Sequence, residues 1–181
     1  QATEKKKKSK ATKTWIYEAK NVRDFAWTAS RKFIWDAMPT FNEDGKKVMC
    51  MSYYPKEAYP IYSRYSTKVV AHTLKSYSDF SIPYPYPVAI SVEAQNGMEY
   101  PMICFNPGRA QEDGTYAESD KNAAITVIIH EVGHTYFPMI INSDERQWAW
   151  FDEGVNTFIQ FLAEQSFDNN YDSDMAGPAY A

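Results

Sequence analysis

Histidine is scarce in this sequence, with three in 181 residues, and two of them, His130 and His134, stand four positions apart. Cysteine is scarcer still: Cys50 and Cys104 are far apart, which excludes a CxxC or other cysteine-based metal motif. The two cysteines are expected either to pair or to remain as buried thiols. No apolar run approaches the roughly 18 residues of a membrane-spanning helix, so no transmembrane segment is predicted in this chain.

The composition is that of a folded protein, with 44% hydrophobic and 16% aromatic residues. A chain of this length is expected to form one ordinary domain with a substantial core. It starts at Gln1 with no initiator Met and no apolar signal segment, so we expect a processed product or a piece of a longer protein. For the compartment, an extracytoplasmic location (periplasmic, secreted or surface) is expected.

Charge is distributed unevenly around the net value of -4. Residues 1–20 carry seven Lys and two Glu, and the run KKKKSK at 5–10 is either a nucleic-acid or membrane patch or a solvated linker. The linker is favoured because no aromatic residue interleaves the lysines. Residues 139–181 hold eight acids and one Arg, which argues against a polyanionic ligand there, so no nucleic-acid partner is predicted.

Alternation and turn residues predict mostly short strands before residue 110. Two are expected within Thr14–Ser30, one over Val48–Tyr54 after the Asp44-Gly45 turn, and two more over Val88–Val92 and Met102–Phe105. Between them, residues 63–80 have the period of a helix, with Val70, Leu74 and Tyr77 on one face.

Two further helices are predicted in the second half. Residues 121–137 place Ile125, Ile128, Ile129 and Val132 on one apolar stripe; Ser119 or Asp120 is the expected cap, and Pro138 ends the helix. The last helix, over about 147–165, is expected to bury Val155, Phe158, Ile159 and Leu162.

The stretch IIHEVGHTYFP at 128–138 carries the strongest chemical signal. Residues four apart lie on one face of a helix, so His130 and His134 can direct both rings at one ion. Glu131 lies about 100° around the helix, where it can reach a metal-bound water rather than the metal. This HExxH pattern predicts a zinc-dependent hydrolytic site with Glu131 as the general base. Two ordinary core or surface histidines are the alternative, which the cost of such groups on a buried stripe disfavours.

A catalytic zinc needs a third protein ligand. The downstream carboxylates Asp144, Glu145, Asp152, Glu153 and Glu164 are the candidates, and Glu153 is preferred because it begins a second amphipathic helix after 18 intervening residues. Asp152, Asn156 and Gln160 are weaker candidates for holding the ligands, and for Asp152 a helix N-cap is preferred. His72 stands without companions and is interpreted as structural.

The motif HEVGH, followed after 18 residues by Glu153 within WFDEG, resembles the zinc aminopeptidases of the aminopeptidase N type, which are gluzincins. The resemblance implies one Zn²⁺ held by His130, His134 and Glu153, with Glu131 as base. It implies an α+β, thermolysin-like catalytic domain, present in part, whose small mixed sheet packs against the HExxH helix and a second ligand-bearing helix.

A second signature of the same family, Gly-x-Met-Glu-Asn, resembles Asn96 to Tyr100 here. Met98 and Glu99 match, whereas Asn96 replaces the first Gly and Tyr100 the final Asn. The resemblance implies that Gly97, Met98 and Glu99 bind substrate, with Glu99 pairing with the free amino terminus of a peptide. A plain turn between strands is the alternative, since Asn-Gly is itself a hairpin signal.

The resemblance covers about residues 15–165 and implies a division of the chain. Residues 1–30 are expected to be a basic leader and the last strands of a β-rich N-terminal domain, and residues 31–181 a catalytic domain truncated at its C-terminal end. The family's oxyanion-stabilising tyrosine has no match at Tyr171 or Tyr180, so further domains of the parent protein are expected.

The function implied is removal of N-terminal residues from peptides. A zinc endopeptidase with the same ligands, and a non-catalytic zinc-stabilised module or inactive piece, are the alternatives.

Overall fold

The computed structural model describes residues 2–5 and 14–168. The chain begins with a two-stranded antiparallel sheet of β1 (Ala2–Lys5) and β2 (Thr14–Tyr17). The basic run at 5–10 lies largely outside the described residues, as do Tyr171 and Tyr180. The second strand predicted within Thr14–Ser30 is wrong: residues 18–30 are irregular. Their aromatic side chains stay outside the core: Phe25 is 46% exposed, and Trp27, 62% exposed, stacks on Tyr17.

A five-stranded mixed sheet forms the centre, in the order β3-β4-β5-β7-β6. Its strands are β3 (Ile34–Phe41), β4 (Lys47–Tyr54), β5 (Val88–Glu93), β6 (Met98–Tyr100) and β7 (Ile103–Asn106). β4, β5 and β7 run parallel, and antiparallel β3 and β6 form the two edges. The predicted α+β class with a small mixed sheet is therefore confirmed.

The two edge strands were the hardest to predict from the sequence. β3 received no prediction, and its Pro39 is tolerated because an edge strand need not donate every backbone N–H to a neighbour. The stretch after Asn96-Gly97 is itself a strand, β6, paired to β7 with Glu99 opposite Cys104. The predicted central strands β4, β5 and β7 agree with the sequence to within one or two residues.

The first two helices join β4 to β5. α1 (Tyr59–Tyr62) is a single turn, and α2 (Ser66–Phe80) makes the crossover that the parallel pair requires. The predicted face of α2 is confirmed, since Val70, Leu74 and Tyr77 are all buried.

The helix α3 (Glu118–Gly133) carries the histidines at its end. Its predicted stripe of Ile125, Ile128, Ile129 and Val132 is buried, as expected. The predicted caps are wrong: Ala117 stands at the N-cap, and Asp120 lies in the first turn, where its carboxylate accepts a hydrogen bond from the Ala117 N–H at 2.9 Å. Beyond Gly133 the chain continues in a wide turn, Thr135–Ile140, that is kinked at Phe137 (φ -131°, ψ 109°), so helical geometry is broken at the residue before Pro138, as predicted.

The last helix begins with a wide turn, Trp150–Gly154, and continues as α4 (Val155–Phe167). The stripe predicted for this helix is wrong at Phe158, which is 62% exposed, whereas Ile159 is buried as predicted and Val155 packs partly buried against the core. The buried face of α4 also carries three polar side chains, Asn156, Gln160 and Glu164, beside the apolar Ile159 and Ala163. Phe158 was misassigned because part of the inward face packs against the polar end of α3, while Ile159 and Ala163 join the apolar core.

Both cysteines are free and buried, which resolves the alternative left open by the sequence. Burial raises the pKa of each thiol to about 12, so both are protonated at neutral pH. Among the described residues, no helix combines the length and apolarity that crossing a bilayer demands.

Candidate metal centre

His130 lies on the last turn of α3 and His134 is its C-cap residue, and their rings are turned toward each other. The two Nε2 atoms are 3.0 Å apart and the rings stand nearly perpendicular, at 89°. His134 is completely buried, whereas the His130 side chain is 18% exposed. The four-residue spacing therefore brings both nitrogens to one point, as the helical period predicts.

Glu153, from the wide turn before α4, reaches the same point. Its Oε2 lies 3.2 Å from His130 Nε2 and 3.5 Å from His134 Nε2. One ligand atom from each of the three residues lies within 4.8 Å of the others. The Glu153 side chain is 57% exposed, so the cluster is open to solvent on this side.

The outer nitrogen of each histidine has an acceptor. His130 Nδ1 is 2.8 Å from Gln160 Oε1, and His134 Nδ1 is 2.8 Å from the Phe137 carbonyl oxygen. Both rings can therefore carry hydrogen on Nδ1 and leave the Nε2 lone pairs facing inward.

Asp152 also approaches His134 and is not a helix cap, so the preferred sequence interpretation of this residue is wrong. Its Oδ1 lies 2.9 Å from His134 Nδ1 inside the turn, although the N–H of that nitrogen points to Phe137. Burial raises the pKa of Asp152 to about 6 against the opposing effect of His134. The Asp152 carboxylate therefore acts on the His134 ring through its charge, without a well-formed hydrogen bond.

A buried contact among three helices fixes the end of α3. The Tyr77 hydroxyl on α2 lies 2.8 Å from Asn156 Oδ1 on α4, and Asn156 Nδ2 donates to the His130 carbonyl oxygen at 3.0 Å. A side chain at Gly133 would meet Tyr77 at 2.2 Å. Tyr77 was identified from the sequence only as a core residue, because helix periodicity does not reveal what its hydroxyl contacts.

Glu131 lies beside the cluster and is 7% exposed. Its Oε2 is buried and has no hydrogen-bond partner among the described residues. The backbone of Gly97 passes directly over the carboxylate, where an added Cβ would stand 2.2 Å from Glu131 Oε1. Gly97 therefore shapes the space around Glu131, which the sequence did not predict.

Glu99, on the edge strand β6, joins the same region. Glu99, Glu131 and His134 form a second group whose ligand atoms lie within 4.8 Å of one another. The neighbouring Met98 is 42% exposed, and the Tyr100 ring packs edge-on against Phe105. Four acidic groups thus surround the two histidines: Glu153, Asp152, Glu131 and Glu99.

The electrostatics of the cluster favour a bound cation. Burial, with added repulsion from Glu99 and Glu153, raises the pKa of Glu131 to about 8. Burial and the nearby His134 lower the pKa of His130, which favours its neutral, ligating form. Two inward lone pairs and a carboxylate are the donor set of a catalytic zinc, and a dication would relieve the repulsion among the acids. The residues present therefore fit such a metal.

The other candidate residues lie elsewhere. Glu145 is bound to Arg23 at 3.3 Å, and Glu164 is buried behind Gln160. Asp144 accepts the Trp148 N–H through its backbone oxygen at 2.8 Å. His72 bonds the Ala163 carbonyl oxygen at 2.8 Å and joins α2 to α4. None of these four residues belongs to the groups of converging ligand atoms found among the described residues.

A mixed sheet backed by a helix with this histidine pair defines a metallopeptidase-like domain, and comparison with known proteins identifies the family. The model for the peptidase family M1 domain matches residues 65–178, more than half of the chain. The chain belongs to this family of zinc metallopeptidases.

Similar proteins include plant aminopeptidases. Aminopeptidase M1-A of Oryza sativa subsp. japonica is 26% identical over 141 residues, covering 74% of this chain and 16% of that protein. Aminopeptidase M1 of Arabidopsis thaliana is 29% identical over 110 residues, covering 57% and 12%. The crystal structure of M1 zinc metallopeptidase from Deinococcus radiodurans aligns with a TM-score of 0.55 at 19% identity, over 75% of this chain and 29% of that one. The chain thus spans about a sixth of the first relative's length.

Proposed function

We propose that this chain is part of the catalytic domain of a zinc aminopeptidase, with zinc held by His130, His134 and Glu153. The observation that carries the proposal is the convergence of two histidine nitrogens and a carboxylate oxygen within 4.8 Å. Such a metal, when bound, polarises a peptide carbonyl and lowers the pKa of a coordinated water.

Glu131 is proposed as the general base. Its carboxylate adjoins the histidines, and its unpartnered Oε2 is free to accept a proton from the attacking water. The same oxygen can then pass that proton to the leaving amine. Gly97 has no side chain that would collide with the Glu131 carboxylate.

Glu99 is proposed to pair with the free amino terminus of a peptide. Its carboxylate lies beside Glu131 and His134, so an ammonium bound there would place the first peptide bond next to the histidine cluster. Met98 and Gly97 would line the approach. Large exposed side chains such as Trp148, Trp150 and Phe158 support a further proposal that other domains of a longer protein pack on this chain.

The proposed zinc site and base are tested together by two variants. We expect one zinc per molecule by metal analysis of the purified chain, and loss of most of it in His134→Ala. Glu131→Gln is expected to retain zinc while peptide hydrolysis by the parent protein falls by about 10²- to 10⁴-fold. Glu118→Gln, at the exposed start of the same helix, is the matched control. A wild-type chain without zinc, or an active Glu131→Gln, would contradict the proposal.

Amine recognition is tested by substrate. The parent protein is expected to cleave peptides with a free amino terminus and to spare their N-acetylated forms, with the preference lost in Glu99→Gln. Equal cleavage of both forms would instead identify an endopeptidase.

A further inference from the structure

Behind His130, on the side away from the cluster, a buried chain of polar groups runs along α4. His130 Nδ1 lies 2.8 Å from Gln160 Oε1, and Gln160 Nε2 donates to Glu164 Oε1 at 2.8 Å. Gln160 and Glu164 have no exposed surface. Buried polar groups at these distances impose a direction on the hydrogen bonds that join them.

The direction follows from donor and acceptor chemistry. Gln160 Nε2 donates to Glu164 Oε1, so the NH₂ end of the amide is turned toward Glu164. The carbonyl end then faces His130, where it can only accept, so the ring must carry its hydrogen on Nδ1. Nε2 is left with a lone pair directed at the cluster.

One other donor stands near the ring. Asn156 Nδ2 is 3.4 Å from His130 Nδ1, but it donates to the His130 carbonyl oxygen at 3.0 Å. The Tyr77 hydroxyl, 2.8 Å from Asn156 Oδ1, fixes the orientation of the Asn156 amide. Asn156 therefore holds the backbone, and Gln160 Oε1 is the acceptor that faces Nδ1 of the ring.

We propose that Glu164 is a positioning residue that acts through the Gln160 amide to fix His130 in the Nδ1–H tautomer, so that Nε2 is available to a metal. This inference rests on the proposed zinc ligation by His130. Glu164 itself stays two hydrogen bonds from the ring and does not contact substrate or metal.

The first test is spectroscopic and needs no variant. With only three histidines in the chain, long-range ¹H–¹⁵N NMR correlations of ring-labelled protein assign the tautomer of each. The metal-free wild-type chain is expected to hold His130 with hydrogen on Nδ1. An Nε2–H form of His130 would overturn the inference.

The second test uses variants that allow the Gln160 side-chain amide to turn over. In Glu164→Gln the new side chain can donate or accept, so the Gln160 amide can turn over. We expect mixed His130 tautomers and zinc binding weakened by about 10- to 100-fold in competition with a chromophoric chelator. The double variant Q160E/E164Q restores a single direction to the hydrogen bonds. The carboxylate introduced at position 160 accepts from His130, and the amide introduced at position 164 donates to that carboxylate. The double variant also keeps one carboxyl group and one amide in the chain, so it is expected to recover the wild-type tautomer and most of the zinc affinity.

Gln165→Glu, an exposed change on the same helix, is the control and should leave tautomer and affinity unchanged. A folded Glu164→Gln with wild-type zinc affinity, or a double variant no better than the single one, would overturn the inference. A wild-type chain that binds no zinc would overturn the metal site, while the tautomer of its metal-free form would still decide the role of Glu164.

Discussion

At the scale of single residues, two glycines and one buried amide chain determine the geometry of the site. Gly133 lets α3 approach the Tyr77–Asn156 pair, and Gly97 lets β6 pass over Glu131. Neither glycine has a left-handed backbone: among the glycines that the structure describes, Gly45 and Gly114 are the ones with positive φ. What these positions require is the absence of a side chain, not backbone freedom.

Alanine is therefore expected to have opposite effects on stability at two glycines, because the space around them differs. Gly133→Ala is expected to destabilise the chain by about 1–3 kcal/mol, because its Cβ would stand 2.2 Å from the buried Tyr77 hydroxyl and 2.3 Å from Asn156 Oδ1. Gly154→Ala, in helical geometry with nothing within 4 Å, is expected to stabilise it by about 0.5–1 kcal/mol. Urea unfolding of both variants measures the difference, and the same sign in both would refute the steric argument.

At the scale of elements, the connection between α3 and α4 is held by a residue distant in sequence. Arg23 donates to Asn142 Oδ1 at 3.1 Å and pairs with Glu145 at 3.3 Å. It also approaches the Pro138 carbonyl oxygen at 3.4 Å. The irregular segment before the sheet therefore restrains the loop that leads from the histidines to Glu153.

Removal of this restraint is expected to loosen the loop without unfolding the domain. Because the ion pair is partly exposed, Arg23→Gln should cost about 0.5–1 kcal/mol locally, or roughly 2- to 5-fold faster amide exchange over residues 139–146. Hydrogen-exchange mass spectrometry measures this. Arg64→Gln, whose guanidinium instead bonds the Tyr116 hydroxyl, is the control and should not affect the loop. Unchanged exchange in Arg23→Gln would show that the contact is not a restraint.

At the scale of the whole molecule, the site joins three helices and one sheet edge. α3 provides the histidines, the turn before α4 provides Glu153, α2 braces both through Tyr77, and β6 contributes Glu99. A ligand bound at such a junction stabilises all of the joined elements together, because it binds the folded arrangement and not the unfolded chain.

Zinc is therefore expected to raise the melting temperature of the chain. At free zinc about 100-fold above Kd the gain is about 2.7 kcal/mol, or roughly 5–10 °C for a domain of this size. Since the ligands bind zinc in their deprotonated forms, the gain should shrink as pH falls. The lowered pKa of His130 places that loss below the ordinary histidine pKa of about 6.5.

Calorimetry with and without EDTA at pH 7.5 and 5.5 measures the effect, and His134→Ala is the control that should not respond. A zinc gain that is equal at both pH values, or that persists in His134→Ala, would place the metal elsewhere.

Much of the site follows from the sequence because helix geometry is local. The four-residue spacing of His130 and His134 places both rings on one face wherever α3 packs, and the apolar stripe of α3 sets which side is buried. The central strands follow from their hydrophobic alternation, which is also a local property of the sequence. The family match shows that the pattern was correctly assigned to the zinc aminopeptidase family.

Only the tertiary structure decided which polar groups stand behind the ligands. The period of α4 predicted an apolar inward face, but α4 packs on the polar end of α3, so Asn156, Gln160 and Glu164 are buried and Phe158 is exposed. Asp152 likewise contacts His134 instead of capping a helix. Hydrophobic patterning records contact with an apolar core, whereas the partners of a polar group depend on which distant element folds against it, as Arg23 does across more than 110 residues.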